Sequence, residues 1–172
     1  KPADALALPG ADVAYPSATA DLHHEIELVV ALSAGGADVP VDRALDLVFG
    51  YGVGFDLTRR DLQAAAKDKG HPWDASKGFD QSAPISAIRR WSGPAPQGRI
   101  AATVNGQSRQ DALVSDMIWN VAEIIAQASK LWALAPGDLI FTGTPEGVGP
   151  IARGDQVAGA VEGVGELSFR VR

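Results

Sequence analysis

The stretch DLHHEIELVV, residues 21–30, alternates polar and apolar positions and then turns wholly apolar. Period-two alternation that runs into Leu and Val predicts a strand over residues 23–32 lying against a hydrophobic core. Within that strand Glu25 and Glu27 occupy positions i and i+2, so both carboxylates point to one face about 7 Å apart. Two charges at that distance repel by about 2 kcal/mol at an effective dielectric near 20. Desolvation beside Leu28 and Val29 adds to the cost. A bound cation relieves both terms, and oxygen donors without sulfur favour a hard ion: Mg²⁺, with Mn²⁺ or Ca²⁺ as alternatives. By spacing alone a solvated strand face is the commoner reading of Glu-x-Glu. His23 shares the face, which leaves a mixed His/carboxylate site open.

The rest of the chain reads as short strands with a few helices. Residues 1–20, rich in Pro, Ala and Gly, form a winding entry. Apolar spacing of Val41, Ala44, Leu45 and Val48 predicts a helix over 41–49. GYGVGFDL (50–57) is a glycine-rich strand whose glycines admit close backbone approach. TRRDLQAAAKDKG (58–70) is a helix with Thr58 and Asp61 at capping-box-like spacing and Gly70 as its stop. Asn105-Gly106 marks a tight hairpin turn inside 99–111. The stretch 115–134 predicts the longest helix, with Ser115 as N-cap and Ile118, Val121, Ile125, Ala128 and Trp132 as its apolar stripe. Residues 147–172 read as short strands joined by tight turns. No internal repeat interrupts the pattern, and one domain over 1–172 is expected.

Composition narrows the function. With 172 residues and 46% hydrophobic content the chain has enough material for a substantial core. Fifteen basic against 21 acidic residues give a net charge of −6. Basic clusters no larger than Arg59-Arg60 and Arg89-Arg90 argue against a nucleic-acid binder. The absence of cysteine excludes disulfides, thiolate catalysis and Cys-type zinc sites, and is compatible with a reducing cytoplasm. No apolar run reaches the roughly 20 residues of a membrane span. No secretory signal pattern opens the sequence, and Lys1 stands where a natural start has Met. A preceding segment is therefore expected.

Several other residues are candidates for a site. Asp56 ends the glycine-rich strand just before a helix N-terminus, a common place for ligands. Arg60 lies in the first helical turn, where a cation opposes the dipole; serving a ligand and pairing with a nearby carboxylate are equally good readings. Gln63 is one turn on and shares its face. Lys77 sits among small residues in HPWDASKGFD and can pair with an oxyanion, although a surface lysine is the plainer reading. GTPEGVG (143–149) lacks the Lys-Ser/Thr of a phosphate-binding loop, which excludes that type of nucleotide site. Its amides and Thr144 can still hold a carboxylate, or form a plain turn. Three-histidine oxygenase sites do not fit the spacing of His23, His24 and His71.

His23-x-Glu25-x-Glu27, FGYGVGFDLTRRDLQ, PWDASKGFD, VNGQSRQD, SDMIW and LIFTGTPEGVGP together resemble the fumarylacetoacetate hydrolase family, in family order and over almost the whole chain. The blocks DLTRRDLQ and PWDASKGFD look most like its fumarylpyruvate and acylpyruvate hydrolase branch. The resemblance implies a β-rich α+β fold, a mixed rolled β-sandwich with a few helices, usually as a homodimer. It implies Mg²⁺ or Mn²⁺ on Glu25, Glu27 and Asp56, with Arg60, Gln63, Lys77 and Thr144 contacting a small dioxo-acid substrate. Lys77 would also stabilise the developing enolate. In such enzymes a His–Glu pair from an upstream lid activates water. Neither His23, His24 nor His71 matches it, so the base is expected upstream of Lys1. Oxaloacetate decarboxylation or keto–enol isomerisation, which need no such pair, are the nearest alternatives. A metal-binding domain without catalysis is a further one.

Overall fold

The computed structural model describes residues 1–172. Two antiparallel four-stranded sheets carry the core. The first has the order β10-β3-β4-β7, from Leu139–Phe141 (β10), Ile26–Leu32 (β3), Val48–Phe55 (β4) and Arg89–Arg90 (β7). The second has the order β13-β12-β8-β9, from Gly165–Arg170 (β13), Gln156–Val161 (β12), Arg99–Val104 (β8) and Gln107–Leu113 (β9). A three-stranded sheet, β11-β2-β5, joins Gly149–Ile151 (β11), Leu22–His24 (β2) and Thr58–Arg59 (β5). The short pair Leu6–Ala7 (β1) and Ala83–Pro84 (β6) is parallel, which makes the architecture mixed. The helices are Val41–Ala44 (α1), Arg60–Asp68 (α2), Asp74–Lys77 (α3) and Val121–Leu131 (α4). This is the mixed, rolled β-sandwich with a few helices that the resemblance implied.

β3 explains why the sandwich closes. Ile26, Leu28, Val30 and Leu32 project from one face into a 27-residue apolar core, while Val29 is buried on the other face. Each such aliphatic side chain contributes roughly 1.5–3 kcal/mol on burial. Phe55 of β4 meets Phe169 of β13 edge to face, with ring centroids 5.4 Å apart, and so links the two large sheets. Close approach explains one glycine of β4: a Cβ on Gly54 would lie 2.6 Å from Phe141 and 2.7 Å from Val29. Phe141 and Val29 thereby close over the strand directly opposite Glu27, with which Gly54 pairs.

Several boundaries differ from the sequence expectation. The strand expected over 23–32 is two strands, β2 and β3, which part at Glu25 and enter different sheets. The first helix stops at Ala44 and continues as a 3-10 turn to Leu47, because β4 already begins at Val48. The helix expected from Thr58 begins at Arg60. Thr58 is a buried strand residue whose hydroxyl serves Glu25 and Asp56 O, and Asp61 bonds Thr19 and backbone amides, so no capping box forms between them. Ser115 belongs to a separate 3-10 turn, and the long helix is capped by Asn120 with Glu123 in a reciprocal capping box. Ile118 is therefore outside the helix and 98% exposed, and Trp132 is also exposed; Val121 and Ile125 alone of the expected stripe enter the core. The Asn105-Gly106 turn forms as expected, both residues having positive φ between β8 and β9.

Candidate metal and substrate site

The site grows out of the two places where strands end. Glu25 occupies the gap between β2 and β3, and Asp56 follows the last residue of β4. The Glu25 carbonyl accepts the Asp56 amide at 2.8 Å, which fixes the two segments side by side. Glu27, one residue into β3, completes the group: one carboxylate oxygen from each of Glu25, Glu27 and Asp56 lies within 4.8 Å of the others. The expected triad is thus assembled, although by a change of sheet rather than by one continuous strand face. Glu25 and Glu27 are buried, and Asp56 is half-buried.

Three cations face the three carboxylates. Lys77, at the end of α3, donates to Glu25 Oε2 and Asp56 Oδ2, both at 2.8 Å, and to Thr58 Oγ1 at 2.7 Å. Arg60, at the start of α2, pairs with Glu25 through one terminal nitrogen and donates to Gln63 through the other. Its Nε donates to His23 Nδ1 at 3.3 Å, and His23 Nε2 in turn lies 3.0 Å from Asp21. His23 thus packs behind Arg60 and takes no place among the carboxylates. Lys1 Nζ reaches Asp56 Oδ1 at 2.8 Å and the backbone carbonyls of Leu57 and Lys77. Burial pulls the Lys1 ammonium pKa down, against the pull of Asp56 in the other direction.

The donor set fits a divalent ion on two counts. Asp56 Oδ1, though close to Lys1, receives no well-directed hydrogen bond and is buried. Glu27 has its pKa pushed up to about 8, by burial first and by the charge of Asp56 next, despite the Gly143 amide donating to its Oε2 at 2.8 Å. A carboxyl group held neutral at pH 7 by burial beside two other carboxylates is a group waiting for positive charge. The donors are all oxygens, which matches Mg²⁺ or Mn²⁺ and not a soft ion.

Thr144 lies next to Gly143 and accepts a hydrogen bond from Gln110 Nε2 at 2.8 Å. The loop also borders a cleft of about 680 Å³ lined by Leu28, Met117, Ile118 and Trp119, and Gly143 of the same lining donates to Glu27. A second recess is bordered by Lys1, Trp73 and Lys77. Of the expected residues, Thr144 borders the first hollow and Lys77 the second, while Glu25, Glu27 and Asp56 form the acidic cluster, Arg60 pairs with Glu25, and Gln63 bonds Arg60. The amides of GTPEGVG are expected to hold a carboxylate, and the Gly143 amide holds that of Glu27. The sequence does not single out Lys1 or Gln110, which carry no local signal, and it reads Thr58 as a cap rather than a partner of Glu25.

The β-sandwich gathers three acidic oxygens where strands change sheets, with Lys and Arg alongside, and such a group could hold a divalent ion. The family described as fumarylacetoacetate (FAA) hydrolase C-terminal matches residues 1–172, and the chain belongs to that family. It is 50% identical to a fumarylpyruvate hydrolase of Ralstonia sp. over 163 residues, which is 94% of this chain and 85% of that protein. It superposes on the crystal structure of fumarylpyruvate hydrolase from Pseudomonas aeruginosa in complex with Mn²⁺ and pyruvate with a TM-score of 0.96. That match has 46% identity and covers 99% of this chain and 76% of the other. It is also 41% identical over 174 residues to the mitochondrial oxaloacetate tautomerase FAHD1 of Mus musculus, covering 100% of this chain and 79% of that protein.

Proposed function

We propose that the protein is a divalent-metal-dependent hydrolase of a C–C bond in a 2,4-dioxo acid, converting fumarylpyruvate to fumarate and pyruvate or cleaving a related acylpyruvate. The observation that carries this reading is the convergence of Glu25, Glu27 and Asp56 within 4.8 Å, with Lys77 bonded to two of them. Glu25, Glu27 and Asp56 would hold Mg²⁺ or Mn²⁺, which would supply positive charge to polarise a bound keto group.

The chain's own residues supply the binding and charge stabilisation. Three carboxylates against Lys1, Arg60 and Lys77 are formally neutral. Adding a divalent charge leaves a surplus of two, which suits a substrate that carries a carboxylate and develops an enolate. Arg60, Gln63 and Thr144 hold the carboxylate end and keep the scissile bond in place. Water adds to the 4-carbonyl, the C3–C4 bond breaks, and its electron pair passes into the pyruvate enolate. Lys77 donates a hydrogen bond to the enolate oxygen as charge builds there, and a proton then returns to C3.

None of the three histidines supplies the water-activating base. His23 is held by Arg60 and Asp21, and His24 is buried against Gln110 with its pKa lowered, by burial first. His71 is exposed beyond the end of α2. A homodimer suits the exposed apolar residues Ile118, Trp119, Leu131 and Trp132, which a partner would cover. No helix is long and apolar enough to cross a membrane, and a cytoplasmic setting accords with the lack of cysteine.

Loss of fumarylpyruvate absorbance, with and without Mn²⁺ or Mg²⁺, tests the reading. Metal-dependent release of fumarate and pyruvate supports it. A second reading, tautomerisation or decarboxylation of oxaloacetate on the same site, is favoured by the 41% identity to an oxaloacetate tautomerase. Turnover of oxaloacetate without turnover of any acylpyruvate would replace the first reading by the second.

A further inference from the structure

Gln110, on β9, is buried to 1% exposure and uses its side-chain amide completely. Its oxygen accepts from the Ile26 amide at 3.1 Å and lies 3.0 Å from His24 Nδ1. Its nitrogen donates to the Pro145 carbonyl and to Thr144 Oγ1, both at 2.8 Å. The orientation of the amide is determined, because the Ile26 N–H can act as donor alone and the Pro145 carbonyl as acceptor alone. It follows that Thr144 Oγ1 is the acceptor in its bond with Gln110. The hydroxyl proton of Thr144 is then not directed at Gln110 and remains available to an acceptor in the neighbouring cleft.

The backbone keeps this arrangement tight. Gly147 has φ +96°, and a Cβ there would lie 2.1 Å from the Arg109 carbonyl, so the loop 142–148 rests directly on β9 beside Gln110. The same amide that orients Thr144 also binds Ile26, the residue between Glu25 and Glu27. Substrate loop and carboxylate segment are therefore referred to one buried side chain.

We propose that Gln110 is a positioning residue, which holds the Thr144 hydroxyl as a hydrogen-bond donor toward the carboxylate of the bound acid. This rests on the reading of Thr144 as a substrate contact. The test uses Mn²⁺-loaded protein, with the Kd of pyruvate from calorimetry beside KM and kcat for fumarylpyruvate. Thr144→Val is expected to weaken pyruvate about tenfold, the effect of losing one hydrogen bond to a charged group, and Thr144→Ser to retain binding. Gln110→Met should weaken pyruvate and raise KM by a similar factor with kcat within about twofold, an effect absent when it is added to Thr144→Val.

Independent, multiplying effects of Gln110→Met and Thr144→Val would overturn the proposal, as would an unchanged pyruvate Kd in Gln110→Met where Thr144→Val weakens it. If Thr144→Val itself leaves the Kd unchanged, the Thr144 contact fails and this inference with it. Metal-dependent cleavage in the same assay would still stand. Where Gln110→Met does not fold, Gln110→Glu keeps the shape and the acceptor for Ile26, and at the alkaline end of a pH series, where this buried carboxyl ionises, it removes the donors. There it is expected to weaken pyruvate as Thr144→Val does, and wild-type affinity in that variant would overturn the proposal.

Discussion

Two ion-pair arrangements in this molecule use the same kinds of side chain to opposite ends. On the second large sheet, Arg99 and Asp111 form a two-bond pair across β8 and β9, at 2.6 and 2.7 Å, with both side chains at least half exposed. Their hydrogen bonding holds the Asp111 carboxyl below its usual range and the Arg99 guanidinium above its own. Around Glu25, Lys77 and Asp56 the pairing is divided among more partners, and the Glu25 side chain is 9% exposed. Water screens the first pair, which makes it a weak contributor to stability. The second has lost much of its hydration and leaves Asp56 Oδ1 poorly satisfied and Glu27 short of positive charge. Better geometry thus occurs where it matters least. The poorer arrangement is the one that a divalent cation would complete.

Removing a carboxylate from the buried arrangement should have the largest consequence. Glu25→Gln deletes one oxygen charge from the triad and the partner of both Arg60 and Lys77. Turnover is expected to fall by about 10³-fold or more, equivalent to several kcal/mol of lost electrostatic stabilisation, with a matching loss of Mn²⁺ affinity in titration calorimetry. Near-normal turnover would mean that the buried cluster is structural, like its exposed counterpart.

Lys77→Met separates the two functions of the cluster. The ammonium bonds Glu25 and Asp56, for which a metal ion would compete, and in the proposed mechanism it also donates to the enolate. Its removal should leave Mn²⁺ binding as tight or tighter while kcat falls about 10²–10³-fold, the usual effect of deleting one donor to a developing oxyanion. Parallel losses of metal and rate would assign Lys77 to holding the carboxylates and nothing more.

How much of this was legible in the sequence depends on the range of the interaction. The turn at Asn105-Gly106, strand β3 and the acidic residues of the triad are encoded within a few positions, and periodicity or residue type exposes them. The break at Glu25 is not: His24 and Ile26 look alike locally, and it is their pairing with β11 and β4 that sends them to different sheets. Thr58 misled for a similar reason, since a threonine before a helical run resembles a cap until a buried carboxylate 33 residues away claims its hydroxyl. The expected stripe through Ile118 and Trp132 assumed one unbroken helix from Ser115. The capping box at Asn120 starts the helix later and puts both residues outside the core. Roles for Arg60, Gln63 and Thr144 came from resemblance, because charge and spacing alone left each with an ordinary alternative.

A smaller effect should appear in the pH dependence of metal-free protein. Glu27 has a folded-state pKa of about 8 against an ordinary 4.5. Between those values the folded state keeps a proton that the unfolded chain has lost, so stability falls as pH rises through that window and levels off above it. Metal needs the ionised form, so Mn²⁺ affinity should climb toward pH 8, by up to about tenfold per unit, and then flatten. Melting curves from pH 5.5 to 8.5, with and without Mn²⁺, check both signs. A metal-free melting temperature that does not fall across this range would show that Lys77 and its neighbours already neutralise an ionised Glu27.

The exposed pair supplies the last and smallest prediction. Arg99→Ala removes both hydrogen bonds to Asp111 but leaves the β8–β9 ladder intact, because the Arg99 amide bonds Glu162 and the register is held by backbone groups. Both side chains are hydrated already, so Asp111 regains water in place of the guanidinium. The melting temperature should stay within a degree or so of wild type at moderate salt, and fumarylpyruvate turnover should not change. The two arrangements would stop being opposites if Arg99→Ala lowered turnover or Mn²⁺ affinity. Asp111 neighbours both Gln110 and the cleft beside Thr144, and such a result would make its pairing part of the path that holds the substrate loop in place.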